Sequence, residues 1–344
     1  MKDETKAVLD VVVAERERKA NKEQGTPAAQ RNIYSSKNVM NKLLGALKQL
    51  ARLVLDWLRT TYRHVMQRLE EIALTCATSV AVNSEFTCEA FKTAFPHYVK
   101  GRGEPEIIYP AVHIRPLEFY ERAVSMEVMK PYFPDKKDPI VLLSINRYER
   151  KKFVHVAVEA LAELKKSKEL IRDPDIRDRV VLLIAGGYDN RFAENVDYKV
   201  FLEDLAKALG VIDSIHFVCN FSSQQHIEYM ANCRALLYTP PNEHFGIVPL
   251  EAMVAAKAVV ATNSGGPTES VADQVAGFLC EPNGDSYAKA IAKLVEGENL
   301  AVSMGLKGRE RTSKSFSRAA LGDTLNSALW RCVEAKAAGK PKHE

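Results

Sequence analysis

Between Ile140 and Cys280 six short apolar runs recur: "IVLLSI", "VVLLIA", "IHFVC", "ALLYT", "AVVAT" and "GFLC". Each is near-continuous rather than alternating, the pattern of strands buried on both faces. Between them lie segments with helical spacing of apolar residues: Phe153–Lys166, Tyr198–Leu209, Gln224–Asn232, Val248–Ala256 and Thr268–Asp273. This alternation predicts an α/β domain built on a doubly wound parallel sheet, with helices on both faces. Such sheets bind ligands beyond the carboxyl ends of their strands, so the loop after each run is where chemistry is expected.

The chain reads differently upstream. Residues 1–36 form a charged leader ending in the polar "NKEQGTPAAQRN", a composition expected to be partly disordered. From Val39 to Leu74, Met40, Leu43, Leu47, Leu50, Val54, Trp57 and Leu58 recur at three- and four-residue steps, with Lys42, Lys48, Arg52, Arg59 and Arg63 on the remaining faces. That spacing predicts one long amphipathic helix, or two in sequence. Three roles for it stay open: packing on a sheet, lying on an anionic lipid surface, or pairing with a partner helix. "TSVAVNSEFTCEAFKTAF" then reads as a strand at Val80–Val82, a cap near Ser84 and a helix, and "EIIYPAV" as a short strand ending at Pro110. The expected domains are a leader (1–36), a partial N-terminal domain with linker (37–138), a C-terminal domain (139–320), and a helix with the basic tail "KAAGKPKHE" (321–344).

Composition removes several classes. The net charge of +4 is small and dispersed, and no nucleic-acid-binding motif accompanies it, so no nucleic-acid partner is expected. The six cysteines form no CxxC and sit mostly in apolar surroundings, as reduced structural cysteines do. No run approaches the roughly eighteen apolar residues of a membrane span. The charged first residues do not read as a signal peptide.

Four of the loops after strands carry unusual chemistry: "NRYERKK", "GGYDN", "YTPPNEHFG" and "NSGGPTES". If the alternation holds, they share one rim. Arg147 and Lys152, together with helix N-termini, suit a phosphate or diphosphate. Glu243 and Glu251 would repel that anion, and their natural targets are neutral hydroxyls. A diphosphate flanked by hydroxyls describes a nucleotide sugar. Simpler readings stand beside this one. Glu251 is favoured in a first helical turn by the macrodipole alone, Arg147 and Lys152 could be solvated charges, and His244 a loop histidine without a task.

The complete set, in this order, resembles the retaining family-four glycosyltransferases of the GT-B fold. Glu243 and Glu251, separated by seven residues in "EHFGIVPLEA", match the family's E-x7-E signature. Arg147 and Lys152 match its Arg/Lys pair, and "NSGGPTES" its Gly-Gly-Pro loop. Within the family, "LLSINRYERKK", "IAGGYDNR", "YTPPNEHFGIVPLEAM", "NSGGPTESV" and "GFLCEP" are similar to the mannosyltransferases of the dolichol pathway. "LDWLR", "VNSEFT" and "YPAV" extend the likeness over roughly residues 50 to 320.

The resemblance implies a GT-B-like protein with a complete Rossmann-like C-terminal domain. It implies mannose transfer from GDP-mannose, with retention, to a dolichol-diphosphate-linked Man-GlcNAc2 core in alpha-1,3 and alpha-1,6 linkage. Arg147, Lys152 and Glu243 would be catalytic, the two cations holding the diphosphate and Glu243 accepting from mannose hydroxyls. Gly186, Gly187, His244, Phe245, Gly246, Ile247, Glu251, Gly265 and Gly266 would complete the donor site, with Glu251 on the ribose. No cofactor or metal is implied. The implied setting is peripheral, on the cytosolic face of the endoplasmic reticulum membrane, beside other mannosyltransferases of the pathway. The choice of GDP over UDP rests on the resemblance alone.

The front of the chain departs from the family. Only 139 residues precede the first strand of the C-terminal domain, and they contain no glycine-rich first loop. None of His64, His97 and His113 sits in the context of an acceptor-side catalytic histidine. The expectation is a truncated, helix-rich N-terminal domain. The chain is then either a working mannosyltransferase, or a non-catalytic nucleotide-sugar-binding protein or truncated gene product lacking the acceptor domain.

Overall fold

A computed structural model describes residues 28–337. The expectations for residues 1–27 and for the tail from 338 lie outside the described residues. The chain divides into two units, Met1–Ile72 and Ala73–Glu344.

The described part of the first unit is helix α1 (Ala28–Thr75), whose last residues belong to the second. It is one helix of 48 residues, about 72 Å long at 1.5 Å per residue. No proline interrupts this stretch, so one helix forms where two were also possible. Residues 28–36, the end of the leader expected to be partly disordered, are helical. Leu47, Leu50, Val54, Trp57 and Leu58 are exposed along the helix, Trp57 to 65%. Leu53 and Leu55 are exposed beside them, giving the helix more than one apolar face.

The second unit begins with a two-stranded parallel sheet, β1 (Ala81–Val82) against β2 (Glu106–Ile107). Between them lie α2 (Glu85–Ala94) and α3 (Pro96–Arg102). Ser84 caps α2 as expected, its hydroxyl accepting from the Thr87 N–H at 2.9 Å. The strand expected through "EIIYPAV" pairs only at residues 106–107, because its partner ends at Val82, whose carbonyl takes the Ile108 N–H. Helix α4 (Leu117–Glu121) follows.

All six apolar runs are strands of one sheet: β3 (Ile140–Ile145), β4 (Val180–Gly186), β5 (Ile215–Cys219), β6 (Ala235–Tyr238), β7 (Ala258–Thr262) and β8 (Gly277–Cys280). Every pairing is parallel, in the order β5-β4-β3-β6-β7-β8. Alternate residues feed two cores. Leu142, Leu182, Leu237 and Val260 face α5 (His155–Lys166) and α11 (Gly284–Glu296). Leu143, Leu183, Leu236 and Val259 face a core containing Tyr229, Leu250, Met253 and Phe316. The remaining helices are α6 (Pro174–Arg179), α7 (Ala193–Ala208), α8 (Ser223–Asn232), α9 (Val248–Val254), α10 (Pro267–Ser270), α12 (Glu298–Ser315) and α13 (Arg318–Ala337).

Helix ends depart from the sequence reading in definite ways. The helix expected from Phe153 begins at His155, because Arg150–Lys152 form a 3-10 turn and Phe153 takes a left-handed conformation (φ 51°). The helix expected from Tyr198 already begins at Ala193, its first turn polar and so invisible to apolar spacing. Among the described residues no helix is long and apolar enough to cross a membrane. The strand order reverses between β3 and β6, whose neighbours lie on opposite sides. This switch point is where a crevice opens in such sheets, and the loops beside it hold Lys152 and Glu243.

Candidate active site

The loop after β6 folds back over the end of its own strand. Gly246 has φ 78°, and a Cβ there would stand 2.9 Å from the Tyr238 ring. Glu243, half-buried, is bonded to Lys152 through Oε2 and Nζ. The 3-10 turn places Lys152, and the Thr239 hydroxyl, at the end of β6, donates to the Lys152 carbonyl at 2.8 Å. Burial, with Glu243 alongside, pushes the Tyr238 hydroxyl far up, so it stays protonated.

The Gly-Gly-Pro loop lies backbone to backbone on this one. The Gly266 N–H donates to the Glu243 carbonyl at 2.7 Å, and the Asn242 N–H to the Ser264 hydroxyl at 3.0 Å. A Cβ at Gly265 (φ 67°) would meet the Glu243 carbonyl at 2.4 Å, and one at Gly266 the Phe245 Cα at 2.2 Å. These glycines are required first for the two loops to touch. Gly186 is similar, since a Cβ there would collide with the Asn146 carbonyl at 1.7 Å.

The expected residues thus form three neighbouring groups. Lys152, Glu243, Gly246, Gly265 and Gly266 meet at the switch point. Arg147 is exposed, 2.9 Å from Glu149, and lines a cavity of about 420 Å³ with Gly187, Tyr188 and Phe192. Glu251 lies in a separate cavity of about 310 Å³, lined also by His113, Arg115, Tyr120, Ser223 and His226. The Phe245 side chain is buried against Tyr109 and Phe316 and its backbone lies against Gly266, whereas Ile247 is exposed.

Two sets of contacts escaped the sequence reading. His226 Nε2 lies 3.5 Å from Glu251 Oε2, and the Phe221 ring stacks on the imidazole with centroids 5.8 Å apart. Burial pushes the Glu251 carboxyl up to about 7 and the His226 imidazole down. The only local signal for His226 is its place in the first turns of the helix after β5, on the binding rim. The second set joins α2 to the loop. The Ser84 hydroxyl donates to the His244 carbonyl at 2.5 Å, and Thr87 Oγ1 lies 3.2 Å from His244 Nδ1. The Glu269 carboxylate accepts from the Glu85 and Phe86 N–H groups at 2.8 and 2.9 Å, capping α2 from afar.

A parallel sheet of this order, with the loops after β3 and β6 meeting at its switch point, has the architecture of one domain of the GT-B fold. The chain belongs to the family Glycosyl transferases group 1, whose profile matches residues 126–311. It is similar to the human alpha-1,3/1,6-mannosyltransferase ALG2, at 38% identity over 270 residues that cover 78% of this chain and 62% of that one. It is likewise similar to ALG2 of Candida albicans, at 31% identity with 80% and 68% covered. The first three curated relatives are spanned to 62–65% of their length. Among solved structures, sucrose-phosphate synthase from Thermosynechococcus elongatus shares the fold at 21% identity, TM-score 0.63, over 79% of this chain and 62% of that chain. Anabaena Alr3699/HepE with UDP and glucose shares it at 23% identity, TM-score 0.61, over 77% and 66%.

Proposed function

We propose that this chain is an alpha-1,3/1,6-mannosyltransferase that moves mannose from GDP-mannose, with retention, to a dolichol-diphosphate-linked Man-GlcNAc2 acceptor. The observation that carries this reading is the Lys152–Glu243 pair at the switch point, in a chain similar to relatives bearing that name. On donor binding, Lys152 exchanges Glu243 for the diphosphate, with Arg147 on its other side. Glu243 is then free to accept from mannose hydroxyls, and Glu251 from the ribose diol. The bond from the anomeric carbon to the phosphate oxygen breaks, its electron pair going to the diphosphate, where Lys152 and Arg147 stabilise the growing charge. The acceptor hydroxyl attacks the same face of the oxocarbenium-like carbon and gives its proton to the departing phosphate oxygen. The two cations take the part a metal plays elsewhere, so none is required.

The same reading sets the reaction at the cytosolic face of the endoplasmic reticulum membrane, near the pathway's other mannosyltransferases. Helix α1, with exposed apolar residues and basic side chains, would lie on that surface. The decisive experiment supplies GDP-mannose and a short lipid-linked Man-GlcNAc2 acceptor, beside a GDP titration. Mannose transfer is expected. GDP binding without transfer would make the chain a nucleotide-sugar-binding protein instead.

A further inference from the structure

The ribose-binding part of that site holds a residue whose type the reaction itself does not demand. A carboxylate that accepts from both hydroxyls of a ribose must be ionised and held at a fixed angle. Glu251 does not obtain this from its own helix, whose backbone bonds leave the side chain free to rotate. The side chain that reaches its carboxylate is His226, on α8, at 3.5 Å. At that distance the contact is an ion-pair approach that a small rotation would turn into a hydrogen bond.

His226 is itself held in place. The Phe221 ring stacks on it at an interplanar angle of 16°. A capping box between Ser222 and Gln225 fixes the start of α8 just before it. The other polar groups around the cavity come from separate elements: His113 and Arg115 from the segment after β2, Tyr120 from α4 and Ser223 from α8. Arg309, on α12, donates to the Arg115 carbonyl at 2.6 Å and also to the Val254 carbonyl, tying that segment to α9. Among the described residues the ion-pair partner of the Glu251 carboxylate is His226, not Arg115 or Arg309.

We propose that His226 is a positioning residue for donor binding: its imidazole N–H aims the Glu251 carboxylate at the ribose diol and keeps it ionised. This rests on the reading of Glu251 as the ribose acceptor. The sign of the pH effect follows. Glu251 binds the diol when ionised, and its burial favours the protonated form near neutral pH. Removing the imidazole N–H therefore moves the loss of affinity on acidification to higher pH.

The test is a calorimetric titration of the full chain with GDP at about pH 6 and about pH 8, the two sides of an ordinary histidine's range. His226→Leu is expected to weaken GDP by about tenfold, more at the lower pH, while melting as the wild type does. His226→Gln, whose amide also donates, is expected to stay within about threefold of wild type, under half that change in free energy. Binding of 2′,3′-dideoxy-GDP, which lacks the diol, should be the same in His226→Leu and wild type. The double variant with Glu251→Gln should be no weaker than Glu251→Gln alone. Equal losses in His226→Leu and His226→Gln, or losses that add to those of Glu251→Gln, would overturn the proposal. If Glu251→Gln itself leaves GDP affinity unchanged, the ribose reading falls and this inference with it. If Glu251→Gln weakens GDP and His226→Leu does not, this inference alone falls.

Discussion

Lys152 and Glu243 are bonded to each other across the switch point, one on the loop after β3 and the other on the loop after β6. The two groups assigned to opposite ends of the donor's sugar–phosphate bond therefore neutralise one another in the free protein. On the proposed function, donor binding breaks this pair. On that reading Lys152 meets its greatest negative charge as the diphosphate departs, so Lys152→Ala should lower kcat by about a hundredfold or more. It should raise the donor Kd by less than about tenfold. Steady-state kinetics beside a GDP titration decide it, and equal losses in both would contradict the role.

Glycine substitutions should separate two kinds of position. Gly265→Ala puts a Cβ against the Glu243 carbonyl at a left-handed backbone, and should cost about 1–3 kcal/mol of stability while displacing Glu243. Gly45→Ala, within α1 with nothing within 4 Å of its new Cβ, should instead stabilise its helix by up to about 1 kcal/mol. Denaturant titrations of both variants test this. Stabilisation by Gly265→Ala would show that the two loops need not touch.

Glu269→Ala removes the carboxylate that caps α2 and should cost about 1 kcal/mol in urea denaturation. Amide hydrogen exchange should rise at Glu85 and Phe86. Unchanged protection there would mean that Ser84 alone is a sufficient cap.

The raised Glu251 carboxyl gives a stability profile of definite sign. In the folded chain it titrates at about 7, above its unfolded range, so the folded state holds the proton more tightly. Its contribution is complete below the unfolded value and is lost as pH rises through about 7. Glu251→Gln should therefore unfold at a higher urea concentration than wild type at alkaline pH, the difference vanishing in acid. A pH-independent difference would exclude this titration.

On the proposed reading Arg147 and Lys152 carry the charge stabilisation, so chelation should leave transfer intact. An assay in excess EDTA with GDP-mannose checks this, and activity restored only by a divalent cation would refute it.

The sheet was legible because strands buried on both faces read as unbroken apolar runs, and all six lie where those runs are. Helix boundaries were legible only where apolar spacing or a cap marks them. Ser84 was visible in this way, whereas the turn at Arg150–Lys152 and the polar start of α7 left no such trace. The residue types of the site were equally plain, acids and cations in loops that follow strands. Their partners were not. Ser84 with His244 and Glu269 with Phe86 are joined across long stretches of chain, and no local pattern records such contacts. The glycines were expected to admit a ligand, and the structure adds that Gly186, Gly265 and Gly266 first admit a neighbouring backbone and Gly246 the Tyr238 ring.

The placement of Lys152 and Glu243 also bears on how the site comes into being. β3 pairs with β4 and with β6, and the second pairing joins Leu142 to Ala235 across most of the domain's first half. Closing so long a loop costs entropy before any contact compensates it, so pairings of this kind form slowly. The crevice at the switch point is thus expected to be among the last features to assemble. Lys152 and Glu243 meet only when β6 has docked, and recovery of GDP binding during refolding should lag behind the return of helical signal.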